Sequence, residues 1–147
     1  MYKHILVPTD GSPLSRAAAL SAVKLAHAVG ARVTALFAAP AATPVAYRGL
    51  FPVGFSTPKK NAAMIEKAAR QYLEVIERAA EAAGVRCQSV HVTSDYPADT
   101  ILDVARKRKC DLIYMASHGR RGIAGVLIGS ETQKVLSRAE ISVLIHR

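Results

Sequence analysis

Short apolar runs rich in branched residues recur along the chain: Ile5-Leu6-Val7, Val33 to Phe37, Val85 to Val92, Leu112 to Met115, and Ile141 to Ile145. Most are continuous rather than alternating. That pattern suits strands of a parallel sheet covered on both faces. The segments between them carry helical signals. Ser12 reads as an N-cap with Pro13 at the first helical position, Ala-rich sequence follows to Val29, and Gly30 supplies the stop. From about Asn61 to Ala83, the residues Ile65, Ala69, Tyr72, Ile76, Ala80 and Ala83 fall on one stripe. The opposite face pairs Glu66 with Arg70 and Glu74 with Arg78 at i,i+4 spacing, and Gly84 ends the helix. A third helix is predicted from near Pro97 to about Lys109, and a fourth from Ser130.

Strand, helix, strand, repeated, predicts an α/β fold: a doubly wound, five-stranded parallel sheet with right-handed crossovers and helices on both faces. A single domain covers residues 1–147, a length that buries one core. One segment breaks the alternation. Ala38 to Pro58 holds Pro40, Pro44, Pro52 and Pro58, together with Gly49, Gly54, Tyr47, Phe51 and Phe55, and reads either as a functional lid or as a disordered insert. Sheets of this kind bind ligands beyond the carboxyl ends of their strands, where the strand order reverses. Pro8-Thr9-Asp10-Gly11-Ser12 follows the first strand and Ser117-His118-Gly119 the fourth. If those strands are neighbours, both loops open into one crevice.

No apolar run approaches the roughly 20 residues that cross a bilayer. The N-terminal stretch lacks a secretory pattern, so a soluble, cytoplasmic protein without membrane attachment is expected. Cys87 and Cys110 form no CxxC pair and have no histidine at ligand spacing, and they read as reduced thiols. The chain carries 20 Lys and Arg against 11 Asp and Glu, a formal charge of +9, which favours anionic partners of any kind. Aromatic residues are 5% of the chain and Trp is absent, few for stacking on single-stranded nucleic acid. The basic run Arg106-Lys107-Arg108-Lys109 is explained by a helix C-terminus, whose dipole favours cations; nucleic-acid binding is a side reading, and no nucleic-acid partner is expected.

The stretch Met115 to Thr132 poses the functional question, because Gly119, Gly122, Gly125 and Gly129 each cost backbone entropy on folding. Its spelling excludes a Walker loop, which needs lysine before the hydroxyl at Ser130, and also excludes GxGxxG and GxSxG. Anion binding remains attractive on physical grounds. Ser130 precedes Gln133 at capping-box spacing, marking the start of a helix whose first N–H groups point outward with partial positive charge. Glycine at 119 and 129 would admit an anion close to the backbone, Arg120 and Arg121 add charge, and Thr132 offers a further hydroxyl. The alternative is an ordinary loop followed by a capped helix.

Gly119, nine intervening residues and Gly129-Ser130 resemble the later part of the nucleotide-binding motif of the universal stress protein family, Gly-x2-Gly-x9-Gly-[Ser/Thr]. ILVPTDGS, Ile5 to Ser12, and DLIYMASHG, Asp111 to Gly119, resemble the family's first and fourth strands with their loops. The similarity covers the whole chain. The family's first glycine falls at Ala116 here, where a backbone carbonyl or N–H is still available. The resemblance implies an adenine nucleotide α-hydrolase-like fold that binds ATP or AMP. Pro8, Thr9 and Asp10 would hold the adenine end, with the backbone of Ala38. Ala116, Ser117, His118 and Gly119 would line the ribose and first phosphates, Arg120, Arg121 and Gly122 would continue the loop, and Gly129, Ser130, Glu131 and Thr132 would hold the phosphate tail. Glu131, a like charge, should face away or meet a metal ion. Mg²⁺ could accompany ATP, although no ligand cluster spells a metal site.

His118 has no paired nucleophile or acid at recognisable spacing, and His4, His27, His91 and His146 lack metal spacing, so no catalytic residue is assigned. The expected function is a nucleotide-binding regulatory protein of the stress response that acts by occupancy. The alternatives are slow ATP hydrolysis or self-phosphorylation at Ser130, Thr132 or His118, and a nucleotide-free interaction module. The resemblance also implies a homodimer through the C-terminal strand, whose apolar edge invites pairing.

Overall fold

A computed structural model describes residues 1–39, 58–120, 122, 125 and 127–147. Nine elements alternate along these residues: β1 (His4–Pro8), α1 (Pro13–Val29), β2 (Arg32–Ala39), α2 (Pro58–Ala82), β3 (Cys87–Thr93), α3 (Pro97–Lys107), β4 (Leu112–Ala116), α4 (Ser130–Arg138) and β5 (Ser142–His146). The strands form one sheet in the order β3-β2-β1-β4-β5, and all four pairings are parallel. The α/β fold with helices on both faces is therefore the one the hydrophobic pattern predicts. Of the segment that broke the alternation, Ala38 and Ala39 belong to β2 and Pro58 opens α2, while residues 40–57 lie outside the described residues, as does Arg121.

Each face of the sheet has its own core. Ile5 and Val7 of β1, Val33, Ala35 and Phe37 of β2, and Leu112, Tyr114 and Ala116 of β4 point toward α1 and α2. Leu6, Leu36, Ile113 and Met115, the alternate residues of the same strands, pack with α3 and α4 through Ile101, Val104 and Val135. Burial on both faces explains why these strands read as unbroken apolar runs.

The boundaries differ from the sequence reading where capping decides them. Val85 belongs to no strand: Gly84 adopts φ 68° and Val85 N–H bonds the Ala80 carbonyl at 2.8 Å, so Val85 closes the end of α2. Gly30 ends α1 similarly at φ 71°, with Ala31 N–H on Ala26 at 2.8 Å. α3 stops at Lys107, and Lys109 takes a positive φ of 54°. On α2 the buried stripe uses Leu73, while Tyr72 is half-buried and turned toward the first loop.

His4, at the start of β1, is 6% exposed. Its Nε2 lies 2.7 Å from Thr34 Oγ1 on β2, while Nδ1 has no hydrogen-bond partner among the described residues. Burial, reinforced by the charge of Arg32, holds its pKa below the usual histidine value. The folded chain thus resists a proton that the unfolded chain accepts below about pH 6.5. Stability should be level above pH 7 and decline as pH falls from about 6.5 through the lower folded value. Denaturant titrations of the wild type and His4→Gln between pH 7 and 5 check this: the variant should show a shallower decline, and parallel profiles would disprove the assignment.

Candidate functional site

The reversal in strand order lies between β1 and β4, which pair through Ile5 with Leu112 and Leu6 with Ile113. The loops leaving their carboxyl ends therefore meet. Thr9 N–H extends the β1–β2 ladder by bonding Leu36 O at 2.8 Å, and its buried hydroxyl lies 3.1 Å from Ser15 Oγ. Ser12 is the N-cap of α1, accepting from Ser15 N–H at 3.2 Å. These contacts leave Asp10 at the crest of the loop.

Asp10 joins the two loops. Its Oδ1 accepts from Ser12 N–H at 2.9 Å, and its Oδ2 accepts from Arg120 N–H of the β4–α4 loop at 2.8 Å. Burial opposes its ionisation, but hydrogen bonds from Ser12, Ser15 and the Arg120 backbone outweigh this and hold its pKa below the ordinary carboxylate value. The Arg120 side chain returns the contact, with Nε donating to Asp10 O at 2.9 Å and Nη2 to the Tyr72 hydroxyl at 2.6 Å. Arg120 thus faces Asp10 and α2.

The glycines have packing reasons that spacing did not reveal. A Cβ on Gly119 would stand 2.2 Å from Asp10 Oδ2, and one on Gly122 would stand 2.3 Å from the His118 ring. At Gly129 the neighbours are His118 Cα and Cβ at 3.3 Å. The backbone turns are thus closed against the site's own side chains. Gly11, at φ 76°, lies against the Tyr72 ring, 2.2 Å from where a Cβ would sit.

The start of α4 corrects two expectations, at Ser130 and Thr132. Gly129, not Ser130, is the N-cap, and it makes no side-chain cap bond; Ser130 occupies the first helical position and is exposed, so the capping-box spacing to Gln133 goes unused. Gly129 thus leaves the first-turn N–H groups without a cap from its own position. The Thr132 hydroxyl is buried and donates to Ala116 O at 3.1 Å, which ties α4 to the end of β4 and removes it as a phosphate donor. The Glu131 carboxylate turns away: Oε2 accepts from Ala98 N–H at 3.0 Å and Oε1 from Lys134 at 2.8 Å. Tyr96, the N-cap residue of α3, offers no side-chain bond, so Glu131 caps that helix from its neighbour.

Pro8 ends β1 beside Leu36, and Ala38, half-buried, lies in β2 opposite Val92. Ala116 is 7% exposed and its methyl belongs to the core against α1 and α2, so the replacement of the family glycine puts no side chain into solvent. Ser117 is buried, its N–H on His146 O at 2.8 Å and its carbonyl accepting from Gly129 N–H at 2.7 Å. His118 Nδ1 lies 3.1 Å from Ser117 Oγ. Gly122 N–H closes a turn on Gly119 O at 3.0 Å. The residue missed in the sequence is Tyr72. Its place in an apolar helical stripe hid a hydroxyl that reaches the loop.

Among the described residues, no group of three His, Cys, Asp or Glu could hold a metal ion, and no helix is long and apolar enough to cross a membrane. Burial raises the pKa of Cys87 and Cys110 to about 11 each, so both are inert thiols at neutral pH.

The fold recurs in known proteins. A universal stress protein of Thermus aquaticus is 34% identical, with 100% of each chain covered. The solved structure of MJ0577, a protein of Methanocaldococcus jannaschii, superposes with a TM-score of 0.79 at 24% identity, covering 99% of this chain and 96% of that one. A universal stress protein crystallised in complex with cAMP superposes with a TM-score of 0.73 at 25% identity, covering 99% of this chain and 97% of that one. The universal stress protein family matches residues 1–147, and the chain belongs to that family.

Proposed function

We propose that this chain binds an adenine nucleotide, ATP or AMP, between the β1–α1 and β4–α4 loops, as a cytoplasmic regulatory protein of the stress response. The observation that carries the reading is the N-terminus of α4. It opens beside the β1–β4 reversal with Gly129, which has no side chain, as its cap residue, a geometry suited to receive a phosphate. A relative that binds cAMP in the same fold supports an adenine nucleotide as the ligand. Ser130 and the Gly129–Thr132 backbone would take the phosphates, and Pro8, Thr9, Asp10 and the Ala38 backbone would take the adenine end. Mg²⁺ would accompany ATP on phosphate oxygens and water.

Occupancy, rather than turnover, suits the side chains. The Glu131 carboxylate is held by Ala98 and Lys134, so it is not placed as a base toward a phosphate. A homodimer is proposed through β5, an edge strand whose Val143, Leu144 and Ile145 are only half-buried.

Calorimetry with ATP and with AMP should give saturable one-site binding. Gly129→Val, which crowds His118 and the phosphate approach, should weaken it about tenfold or more, equivalent to 1.4 kcal/mol. An unchanged heat profile in that variant would remove α4 from the site. Incubation with γ-labelled ATP should leave label release and transfer at the protein-free rate; accelerated loss would establish the slow ATPase or self-phosphorylating protein instead. Light scattering at micromolar concentration should report twice the 15.7 kDa chain mass, and a monomer mass would refute pairing through β5.

A further inference from the structure

We propose that Tyr72 is a positioning residue for the phosphate-binding loop, setting its geometry through Arg120; the inference rests on the nucleotide reading above. Tyr72 is on α2, remote in sequence from every motif, yet it touches the β1–α1 loop, the β4–α4 loop and the end of β2. Its hydroxyl accepts from Arg120 Nη2 at 2.6 Å, so it fixes the β4–α4 loop one residue after Gly119. Its ring lies against Gly11 of the β1–α1 loop, so closely that any side chain there would overlap it. It also meets Phe37, near the carboxyl end of β2, edge-on with ring centroids 5.4 Å apart.

The chemistry favours positioning over direct contact. The Arg120 side chain donates to Asp10 O and the Tyr72 hydroxyl, and its own N–H bonds Asp10 Oδ2. The guanidinium therefore clamps the loop to the β1 loop and to α2. Loss of the hydroxyl removes one arm of the clamp while the ring still fills its place beside Gly11 and Phe37. The loop then samples more conformations before phosphate arrives, and the ordering cost appears as weaker phosphate binding. The adenine end of the site, at Pro8, Thr9 and the Ala38 backbone, makes no bond to the Tyr72 hydroxyl among the described residues, so adenosine loses less than ATP.

The test compares wild type, Tyr72→Phe, Arg120→Lys and the double variant. Tyr72→Phe should bind ATP about tenfold more weakly, the scale of one hydrogen bond to a charged group, while adenosine affinity changes less than about twofold. The double variant should lose little beyond either single one, since both break the same clamp. Equal losses for ATP and adenosine, or additive losses in the double variant, would reduce Tyr72 to a general packing role and overturn the proposal. Amide hydrogen exchange of the nucleotide-free protein gives a second, ligand-independent readout. Protection at the Arg120 amide should fall in Tyr72→Phe while the β-strand amides keep theirs; unchanged Arg120 protection overturns the clamp. Wild-type protein that ignores ATP, with protection at Arg120 still sensitive to Tyr72, would instead sink the nucleotide reading and leave the clamp standing.

Discussion

The Asp10 carboxylate is the tie on which the site depends. One oxygen orders the turn into α1 through Ser12 N–H, and the other reaches the Arg120 N–H of the β4–α4 loop. Hydrogen bonds to the ionised form outweigh the burial that opposes it, so the charge itself is part of the structure. Gly119 has no side chain because that oxygen stands where a Cβ would be. The loop sequence, the crevice and the low pKa of Asp10 are thus three expressions of one contact.

Sheet topology makes that contact available. β1 in the middle of the order, with β2 on one side and β4 on the other, brings together two loops separated by about a hundred residues of chain. Helices α3 and α4 then cooperate across their own boundary: Glu131 supplies to α3 the cap that Tyr96 does not. That arrangement also resolves an apparent conflict, a carboxylate in the first turn of a helix read as a phosphate cradle. The charge faces the neighbouring helix and Lys134.

Much of the fold was legible because its signals are local or periodic. The apolar runs marked the strands; Ser12-Pro13, Gly30 and Gly84 marked helix ends; Glu66–Arg70 and Glu74–Arg78 form the i,i+4 ion pairs their spacing announced, both exposed. Errors fell where a residue served two grammars. Val85 is apolar and β-branched like a strand residue, but its N–H completes a helix cap. Ser130 has the spacing of a capping box, yet Gly129 is the N-cap and Ser130 the first helical residue, with Gly129 N–H bound to Ser117 O.

The order of elements, the parallel class of the sheet and the candidacy of the two glycine-bearing loops came from the sequence alone, since periodicity and backbone freedom are properties of neighbouring residues. Which side chain each glycine makes room for, which acceptors take Arg120, Glu131 and Thr132, and the role of Tyr72 were decided only by tertiary structure. Those are contacts between residues distant along the chain, and no local spacing encodes a distance between two loops that the sheet brings together.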